Sequence, residues 1–475
     1  MESIWSKETK FPNRPQLEGN IYSPVAIIGA GIAGILTAYF LKNEGINCVI
    51  LERGQACIGQ TKNTTAKITA QHGAIYSKLI KTVGEKKAAE YHKLNKQAIN
   101  DFESIIKHEN ISCDFERLPS AIYSMADDKI IREEAKAAAT LGIEHEIKSD
   151  CSLPFSVALS LVFPNQAQFD PLKFLKPLCE GLTIFENTNV LSVHDNIITT
   201  DCGTVKADKI AFSSHYPFIN FPGLYFMRMH QERSYVLALK NAQKLDMMYY
   251  GIDPNSFSFR PAGDLLLFGG RSHRTGKNQQ RLKYAMLETE AKKLWHDCEV
   301  YAKWSAQDCI SGDGIPFIGN FSKGKKDWFV QTGFNKWGMT SSMAAARLTA
   351  QSIAKRESQI TVFSPSRKLN LPTVKEILIN TAEAAKGLTE KFCFATDDVE
   401  DIENGSCAVC DIDGEKKGVY KDEAGKLHIV SLRCPHLGCE LKWNGDEKSW
   451  DCPCHGSRFD INGKLICEPA QTDIE

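Results

Sequence analysis

The sequence predicts an α/β (α+β) protein with a parallel sheet near its N-terminus and a small all-β domain at its C-terminus. The apolar run Val25-Ala-Ile-Ile is typical of a buried parallel strand, and a glycine-rich turn and an apolar helix to about Asn43 follow it at once. Near the C-terminus, short apolar runs separated by Asp/Gly turns indicate strands at Gly418-Val-Tyr, Leu427-His-Ile-Val and Ser449-Trp. A length of 475 residues leaves room for about three domains.

The composition is that of an ordinary soluble protein, with 43% hydrophobic and 24% charged residues. A formal net charge of -1 argues against nucleic acid as a partner, because nucleic-acid binding needs a basic face. The first twenty residues lack the apolar segment of a secretory signal, and the uncharged stretch from Val25 to Leu41 is short for a membrane span and is interrupted by glycines. We therefore expect a cytoplasmic protein without a transmembrane segment, whose 16 cysteines are mostly free thiols or metal ligands.

Seven of the 16 cysteines lie between Cys407 and Cys467, and two segments there combine cysteine with histidine: Cys434-Pro-His436-Leu-Gly-Cys439 and Cys452-Pro-Cys454-His455. A Rieske [2Fe-2S] cluster needs two thiolates on one iron and two imidazoles on the other, and each segment supplies one of each. Zinc also accepts two cysteines and two histidines, but its motifs usually pair Cys-x-x-Cys with His-x-x-x-His. The order therefore favours an iron–sulfur cluster held by Cys434, His436, Cys452 and His455.

Residues of about 400–475 resemble the Rieske proteins of respiratory complexes. The resemblance implies a disulfide between Cys439 and Cys454 and a hydrogen bond from Ser457 to a bridging sulfide of the cluster. Phe459 stands where that subgroup often has a tyrosine donor, so we expect a mid-range reduction potential. The sequence Glu468-Pro-Ala departs from the usual Gly-Pro-Ala of the third cluster loop, which leaves the conformation of that loop open.

The turn after the first strand has the spacing Gly29-x-Gly31-x-x-Gly34. In a dinucleotide-binding unit the first glycine makes the turn, the second lets the backbone approach a pyrophosphate, and the third lets helix and strand pack closely. A second strand, Cys48-Val-Ile-Leu, ends on Glu52, whose carboxylate is expected to accept the ribose hydroxyls. This unit leaves FAD and NAD open, and its candidate binding residues are Gly29, Ala30, Gly31, Ala33, Gly34, Glu52 and Arg53.

Two later motifs favour FAD. The run Asp313-Gly-Ile-Pro-Phe-Ile-Gly319 precedes Gly333-Phe-Asn-Lys-Trp-Gly-Met-Thr340, and a helical run from Ser341 to Lys355 follows. With the N-terminal unit, this pattern resembles the D-amino-acid-oxidase/glycine-oxidase (DAO) family of flavoproteins over about residues 22–360. In that family a helix N-terminus meets the pyrimidine edge of the flavin. The resemblance implies these further FAD contacts: Gln60, Thr61, Thr65, Ala66, Lys67, Val190, Asp313, Gly333, Trp337, Gly338, Met339 and Thr340.

The two-part layout resembles bacterial FAD-dependent oxidoreductases with a C-terminal Rieske domain, which share the run from Thr64 to His72. The resemblance implies a Rossmann-type FAD-binding domain with an inserted antiparallel-sheet substrate domain, and a small all-β Rieske domain. The expected parts are an N-terminal arm at 1–22, the FAD-binding domain at 23–360 with the substrate domain inserted at about 72–165 and 215–310, a linker at 361–400, and the Rieske domain at 401–475.

The linker contains one predicted helix. A capping box at Thr373-x-x-Glu376 is followed by apolar residues at helical spacing, from Val374 to Leu388. This pattern predicts an amphipathic helix over 373–388, docked on one of the domains and positioning the Rieske domain.

Four residues on segments that resemble the substrate sheet of the DAO family are candidates for contacting an anionic substrate: Arg233, Tyr235, Arg271 and His273. For the two arginines, a solvated or salt-bridged surface position is the alternative. Lys67 is expected beside the flavin, where a cation stabilises the reduced anion; an exposed loop lysine is the alternative.

The sequence contains no second Gly-x-Gly-x-x-Gly for NAD(P)H, so an organic substrate and the Rieske centre are the expected electron ports. We expect an FAD-dependent, dehydrogenase-like oxidoreductase that takes two electrons from a small amine or amino-acid-like substrate and exchanges single electrons with an external partner. Two alternatives stay open: a reductase fed through the Rieske centre, and an electron-transfer module without its own substrate. A Rieske oxygenase is disfavoured, because the ten other histidines show no clustered pair for a mononuclear iron.

Overall fold

The computed structural model describes residues 2–277, 282–355, 361–390 and 398–474, and only the backbone at 388–390. Its strands, in chain order, are β1 (Gly19–Ile28), β2 (Cys48–Leu51), β3 (Lys67–Ile68), β4 (Glu116–Ser124), β5 (Glu146–Lys148), β6 (Leu159–Gln168), β7 (Thr183–Phe185), β8 (Val190–His194), β9 (Ile197–Thr200), β10 (Gly203–Phe212), β11 (Met229–Lys240), β12 (Met248–Gly251), β13 (Ser258–Ala262), β14 (Leu265–Arg274), β15 (Glu299–Ser311), β16 (Phe317–Ser322), β17 (Lys325–Thr332), β18 (Cys407–Ile412), β19 (Glu415–Lys421), β20 (Leu427–Ser431), β21 (Lys442–Asn444), β22 (Ser449–Asp451), β23 (Arg458–Phe459) and β24 (Leu465–Cys467).

The helices connect and cover these strands. In chain order they are α1 (Ile4–Glu8), α2 (Ile32–Asn43), α3 (Tyr76–Val83), α4 (Glu85–His108), α5 (Lys129–Thr140), α6 (Pro171–Leu178), α7 (Tyr225–Arg228), α8 (Lys283–Leu294), α9 (Gly338–Lys355) and α10 (Leu371–Glu390), with short 3-10 helices at Gln60–Asn63 and Val399–Asp401. Within the described ranges, we find no helix that combines the length and the apolar character needed to span a bilayer.

The first sheet carries the glycine-rich turn at the carboxyl end of β1. Its strands run in the order β16-β17-β10-β1-β2-β7, and β8 and β9 form a hairpin against β10. β1 pairs in parallel with β2 on one side and β10 on the other, and the side chains from Val25 to Ile28 are buried. A strand covered on both faces needs such a continuous apolar run. The predicted Rossmann-type sheet is therefore confirmed.

The second sheet forms the wall opposite the glycine-rich turn. Its order is β15-β11-β14-β13-β12-β4-β6-β3, with β5 beside β6, and in the described structure β12 and β4 are its one parallel pair. Tyr235, Leu237 and Leu239 of β11 point into a core with Tyr284 and Leu287 of α8. The alternate residues of β11 therefore face the other side of the sheet, toward the first sheet.

Two small antiparallel sheets form the C-terminal domain, in the orders β18-β19-β20 and β21-β22-β23-β24. Their shared core includes Leu441, Trp450 and Phe459. Cys439 and Cys454 are joined by a disulfide, with a Cα–Cα distance of 6.7 Å. The expected all-β domain is confirmed.

The linker helix α10 is longer than the predicted 373–388 and is docked by a different face from the apolar one. The side-chain amide of Asn380 donates hydrogen bonds to the carbonyl oxygens of Met227 (3.1 Å) and Met229 (3.2 Å), and Gly387 lies against the disulfide. Leu378, one of the apolar residues of the predicted stripe, is 66% exposed. Small and polar residues of α10 therefore make its contacts with the rest of the protein. The linker residues 391–397 and the side chain of Leu388 lie outside the described part.

Candidate active site and metal centre

The glycine-rich turn closes the end of β1 and leads into α2. Gly29 has a φ of +105°, and a Cβ on it would lie 2.8 Å from the carbonyl oxygen of Ser213. A Cβ on Gly34 would lie 1.9 Å from the carbonyl oxygen of Gly29, so glycine is needed for α2 to pack on β1. The Glu52 carboxylate accepts a hydrogen bond of 2.8 Å from the N–H of Ala30. The turn therefore has the form of a pyrophosphate cradle with a carboxylate beside it.

The 3-10 helix Gln60–Asn63 lies beside the first turn of α2. The Thr61 hydroxyl accepts a hydrogen bond of 3.0 Å from the N–H of Ile32, the first residue of α2. Ala66 has a φ of +57°, and its N–H donates to the Thr64 hydroxyl at 2.9 Å. These contacts fix the loop that leads from the nucleotide-binding turn into the second sheet.

Lys67, the first residue of β3, is buried in the cavity wall. Its Nζ donates hydrogen bonds to the carbonyl oxygen of Tyr249 (2.9 Å) and to the Ser258 hydroxyl (2.5 Å). Burial, with a smaller contribution from the charge of Arg260, lowers the pKa of Lys67 to about 7. The exposed loop lysine considered as the alternative is therefore not what the structure contains.

The second flavin motif leads into α9. Gly333 has a φ of +67°, and the ring of Trp337 stacks on the imidazole of His72 with centroids 5.0 Å apart. The Thr340 hydroxyl donates to the carbonyl oxygen of Thr69 at 3.0 Å. The start of α9 is thus held against the segment that follows Lys67.

Asp313 has a structural position. Its carboxylate accepts two hydrogen bonds of 2.8 Å from the Arg367 guanidinium, and both side chains are buried. This ion pair ties the segment before β16 to the loop before α10, outside the cavity.

A connected cavity of about 680 Å³ runs from the carboxyl ends of β1 and β2 to the start of α9. This volume is in the range of small-molecule and cofactor sites. The expected FAD contacts that line it are Gly29, Gly31, Ala33, Glu52, Arg53, Gln60, Thr61, Thr65, Lys67, Val190, Trp337, Gly338 and Met339. The expected contacts outside the lining are Ala30, Gly34, Ala66, Asp313, Gly333 and Thr340. A phosphate cradle, a carboxylate and a helix N-terminus along one cavity fit FAD.

The four candidate substrate residues separate into two groups. Tyr235 and Arg271 line the cavity, whereas Arg233 and His273 do not. Arg233 is 2% exposed and forms an ion pair of 3.0 Å with Glu447 of the C-terminal domain. His273 Nε2 lies 3.1 Å from the Tyr235 hydroxyl. Arg233 is thus a buried interdomain residue, neither the surface residue nor the substrate contact that the sequence suggested.

Arg271 stands out by its backbone and by its unused donor. Its φ is +58°, which is rare for a non-glycine residue and is often found at functional sites. Nη2 reaches Glu290 at 3.5 Å, and the buried Nε has no hydrogen-bond partner among the described residues. The cavity therefore contains a guanidinium with donor capacity to spare.

Asp308 and Lys336 line the same cavity and were missed in the sequence. Asp308 of β15 pairs in register with Glu232 of β11, so both side chains lie on the cavity face of the second sheet. Lys336 forms an ion pair of 3.1 Å with Glu232. Burial raises the pKa of Asp308 to about 7, although the charge of Lys336 opposes the shift. Lys336 could have been predicted as a cavity residue, because it lies inside the 333–340 motif. For Asp308 the sequence offers only the alternation of side chains along a strand.

The four expected cluster ligands lie on two loops of similar form. In the first, the N–H of Gly438 donates to the carbonyl oxygen of Cys434 at 2.9 Å; in the second, the N–H of Gly456 donates to that of Cys452 at 3.0 Å. Both glycines have positive φ, +79° and +85°, which lets each loop turn back sharply. These turns bring the His436 and His455 rings to a centroid distance of 4.9 Å. The local sequence of each loop, with its glycine at positive φ, therefore determines where the imidazole of that loop lies.

The tautomer of His436 suits a metal ligand. Its Nε2 donates to the side-chain oxygen of Asn220 at 2.8 Å, so the neutral ring leaves Nδ1 as an acceptor. Nδ1 is buried and has no hydrogen-bond partner among the described residues. Burial lowers the pKa of His436 to about 4 and that of His455 to about 3, which keeps both rings neutral. Neutral imidazoles beside two buried thiols fit a [2Fe-2S] cluster.

Ser457 and the disulfide surround this donor set. The carbonyl oxygen of Ser457 accepts a hydrogen bond of 2.8 Å from the N–H of Cys452, and the buried hydroxyl of Ser457 accepts one of 3.0 Å from the N–H of Ala470. The sulfurs of Cys439, Cys452 and Cys454 lie within 4.8 Å of one another. The disulfide therefore holds the two loops together directly beside the expected iron site.

The cluster loops contact the second sheet directly. Gln231 of β11 donates from its amide nitrogen to the carbonyl oxygen of His455 at 2.8 Å, and Gln307 of β15 donates to that of Gly456 at the same distance. A Cβ on Gly276 would lie 2.4 Å from the backbone nitrogen of Pro453, so the packing is close. Gln307 also lines the cavity. One glutamine therefore touches both the cavity and a cluster loop.

Comparisons with known proteins agree with this organisation. The family model described as FAD dependent oxidoreductase (DAO) matches residues 24–352, and the model of the Rieske [2Fe-2S] domain matches residues 393–475. The Rieske 2Fe-2S iron-sulfur protein YhfW of Bacillus subtilis is 37% identical over 99% of this chain and 96% of its own length. The cytochrome b6-f complex iron-sulfur subunit of Synechococcus elongatus is 51% identical over 12% of this chain and 31% of that subunit.

Solved structures show the same fold for the larger part. Glycine oxidase from Geobacillus kaustophilus superposes with a TM-score of 0.61 at 17% identity, over 73% of this chain and 99% of that one. L-proline dehydrogenase from P. horikoshii superposes with a TM-score of 0.60 at 16% identity, over 74% and 98%. The chain therefore belongs to the DAO family of FAD-dependent oxidoreductases and carries, besides FAD, a [2Fe-2S] cluster on a C-terminal Rieske domain.

Proposed function

We propose that this enzyme oxidises a small amino-acid-like amine at FAD and passes the electrons one at a time through its Rieske cluster to an external acceptor. The observation that carries the proposal is the single cavity whose wall includes the flavin motifs, the second sheet and, at Cys467 and Glu468, the Rieske domain. When bound, FAD supplies two-electron chemistry and the cluster supplies one-electron chemistry.

The charges of the cavity support an amino acid as substrate class. Arg271 offers an unused guanidinium N–H, which suits a carboxylate. Asp308 offers a carboxyl group whose pKa, about 7, allows it to be ionised and to accept from an ammonium group. Both line the cavity, and a zwitterion would neutralise both. The structural neighbours named glycine oxidase and L-proline dehydrogenase are consistent with this class.

Lys67 is proposed to manage charge at the flavin. With a pKa of about 7, Nζ can take up or release a proton near neutral pH while it keeps its hydrogen bonds to Tyr249 and Ser258. A cation here favours negative charge that develops nearby during substrate oxidation. Tyr235 also borders the cavity, but its side chain packs against Tyr284 of α8 on the other face of the second sheet, so we propose no substrate contact for it.

The proposed cluster ligands are Cys434, His436, Cys452 and His455, with Ser457 as hydrogen-bond donor. Electrons would pass between the cluster and the cavity within one chain along a path of hydrogen bonds. Gln231 donates to the carbonyl oxygen of His455 and accepts at 2.5 Å from the side-chain amide of Gln307, which lines the cavity. The docked position of the loops supports transfer without a swinging domain.

The test is an anaerobic titration of the purified enzyme with a panel of amino acids and small amines, followed by visible absorbance and EPR. We expect one member to bleach the flavin and to produce the EPR signal of the reduced cluster. Bleaching without cluster reduction would refute the coupling. If no amine reduces either centre but dithionite reduces both, one of the two alternatives is favoured: an electron-transfer module without its own substrate, or a reductase fed through the Rieske centre.

We propose the cytoplasm as location on the basis of thiol chemistry. Apart from the Cys439–Cys454 pair, the described cysteines form no disulfide. Such a thiol-rich chain is typical of a reducing compartment. Its natural location is testable by cell fractionation with an antibody against the chain; recovery in an exported fraction would refute the proposal.

A further inference from the structure

The third loop of the Rieske domain, residues 466–471, lies at the end of the cavity where the adenosine part of FAD is expected. The lining there combines Glu52, Arg53 and Asn189 of the flavin domain with Cys467, Glu468 and Gln471 of the Rieske domain. We propose that this loop is the outer wall of the FAD site, so that the Rieske domain must undock before FAD can leave. The inference rests on the FAD site and goes beyond electron transfer, since it gives the Rieske domain a role in cofactor retention.

An ion pair closes the wall beside Glu52. Arg53 Nη2 lies 3.1 Å from the Glu468 carboxylate and donates a hydrogen bond of 3.2 Å to the carbonyl oxygen of Ile466. The side chains of Arg53 and Glu468 are 28% and 23% exposed, so solvent screens the pair only partly. The loop is therefore attached to the residue that directly follows the ribose-binding carboxylate.

Two further contacts attach the loop to other parts of the FAD site. Gln60 Nε2 donates to the Cys467 sulfur at 3.5 Å, and the Asn189 side chain donates to the carbonyl oxygen of Gln471 at 2.9 Å. Gln60 begins the 3-10 helix beside the glycine-rich turn, and Asn189 precedes Val190, one of the expected FAD contacts. The Rieske loop thus contacts the flavin domain at Arg53, Gln60 and Asn189, which all line the same cavity.

The charges of Glu52, Arg53 and Glu468 support the contact between the Rieske loop and the FAD site. Burial, together with the nearby Glu468 carboxylate, raises the pKa of Glu52, while Arg53 opposes that effect. Glu468 stands where related cluster loops have glycine, which could not form this ion pair. A glutamate facing Arg53 therefore joins the Rieske loop to the flavin domain through its side chain, without changing the cluster ligands.

The wall is connected to the position of the whole Rieske domain. Gln231, which is outside the cavity lining, donates to the carbonyl oxygen of Glu468 at 3.0 Å as well as to that of His455. Loss of these two hydrogen bonds weakens docking without removing any group that faces FAD. This makes Gln231 the best position for separating docking from direct cofactor contact.

The experiment measures the rate of FAD release by the rise of flavin fluorescence after dilution. We expect Gln231→Ala to release FAD about tenfold faster, because it removes two interdomain hydrogen bonds. Glu468→Gln keeps the size of the side chain and removes its charge, and should speed release about two- to fivefold. The control is Gln97→Ala: Gln97 is an exposed helix residue that bonds Asp101 on its own helix. It should leave the rate unchanged.

Hydrogen exchange of residues 466–471 and the EPR signal of the cluster accompany each rate. Faster exchange, faster FAD release and an intact cluster signal would support the inference. Faster exchange with an unchanged rate of FAD release would overturn it and leave the proposed function standing. A wild-type protein that binds no FAD would instead overturn the proposed function itself.

Discussion

The pKa of Lys67 gives a pH dependence that can be calculated before it is measured. Burial lowers this pKa from 10.5 to about 7. At 1.36 kcal/mol per pH unit, charging this lysine in the folded protein costs about 5 kcal/mol at most. Lys67→Met removes the charge and keeps the length of the side chain, so it should remove this cost.

The sign follows from proton binding. Between pH 7 and 10.5 the unfolded chain keeps the Lys67 proton, while the folded chain releases it. The free energy of unfolding of the wild type therefore increases as the pH rises through this range. The free energy of unfolding of the wild type, relative to Lys67→Met, should therefore increase by about 2 kcal/mol between pH 7 and pH 9. The loss of donors to Tyr249 and Ser258 costs the variant about 1–3 kcal/mol, but equally at both pH values.

The assay is urea unfolding of the flavin-free protein, followed by tryptophan fluorescence at pH 7 and pH 9. With a slope of about 3 kcal/mol/M, the difference between the two midpoints should change by roughly 0.7 M. Lys244→Met is the control, because Lys244 has a side chain that is 82% exposed. A difference between wild type and Lys67→Met that stays constant over this pH range would refute the buried, shifted lysine.

Three other outcomes follow from the structure. Replacing Cys439 and Cys454 by serine opens a loop with a sequence separation of 15, which should cost about 3 kcal/mol and raise the rate of cluster loss in urea, read from visible circular dichroism; an unchanged rate would contradict this. For Asp308→Asn, we expect a KM for the amine substrate about 10- to 100-fold higher. In the wild type, ionisation of the Asp308 carboxyl group should raise kcat/KM through about pH 7, and the variant should lack this rise. Equal pH profiles would exclude Asp308 as the acceptor of the substrate ammonium group. Arg367→Met leaves Asp313 buried without its partner and should destabilise the flavin domain by about 3–5 kcal/mol in the same urea assay, whereas a loss below about 1 kcal/mol would show that water or another donor replaces the guanidinium.

The parts of the site that could be predicted from sequence are those set by local geometry. Gly29 and Gly34 contact each other within one turn, and their spacing alone implies the cradle. Cys434 and His436 share one short loop, and so do Cys452 and His455, so their order is enough to suggest two thiolates and two imidazoles. In both cases the residues that act together are within a few positions of each other.

The prediction failed where a choice between two buried faces was needed. Along β11, Gln231 and Arg233 on one face and Val236 and Ala238 on the other are all at most 3% exposed, so hydrophobic patterning cannot tell which face meets the cavity. The β-bulge between Arg233 and Tyr235 in the pairing with β14 adds a local irregularity that sequence does not reveal. The resemblance to the substrate sheet of the DAO family made Arg233 a candidate substrate contact, but the cavity face carries Glu232 and, opposite it, Asp308.

Glu468 shows how a departure from a family pattern can carry information that only the fold makes readable. In sequence it was an exception in the third cluster loop. Its partner, Arg53, lies more than 400 positions earlier, directly after the nucleotide-binding strand. No local rule connects two such positions, because the contact exists only when the Rieske domain is docked on the flavin domain. If FAD release is coupled to that docking, the glutamate is best understood as part of the flavin site, placed on the neighbouring domain.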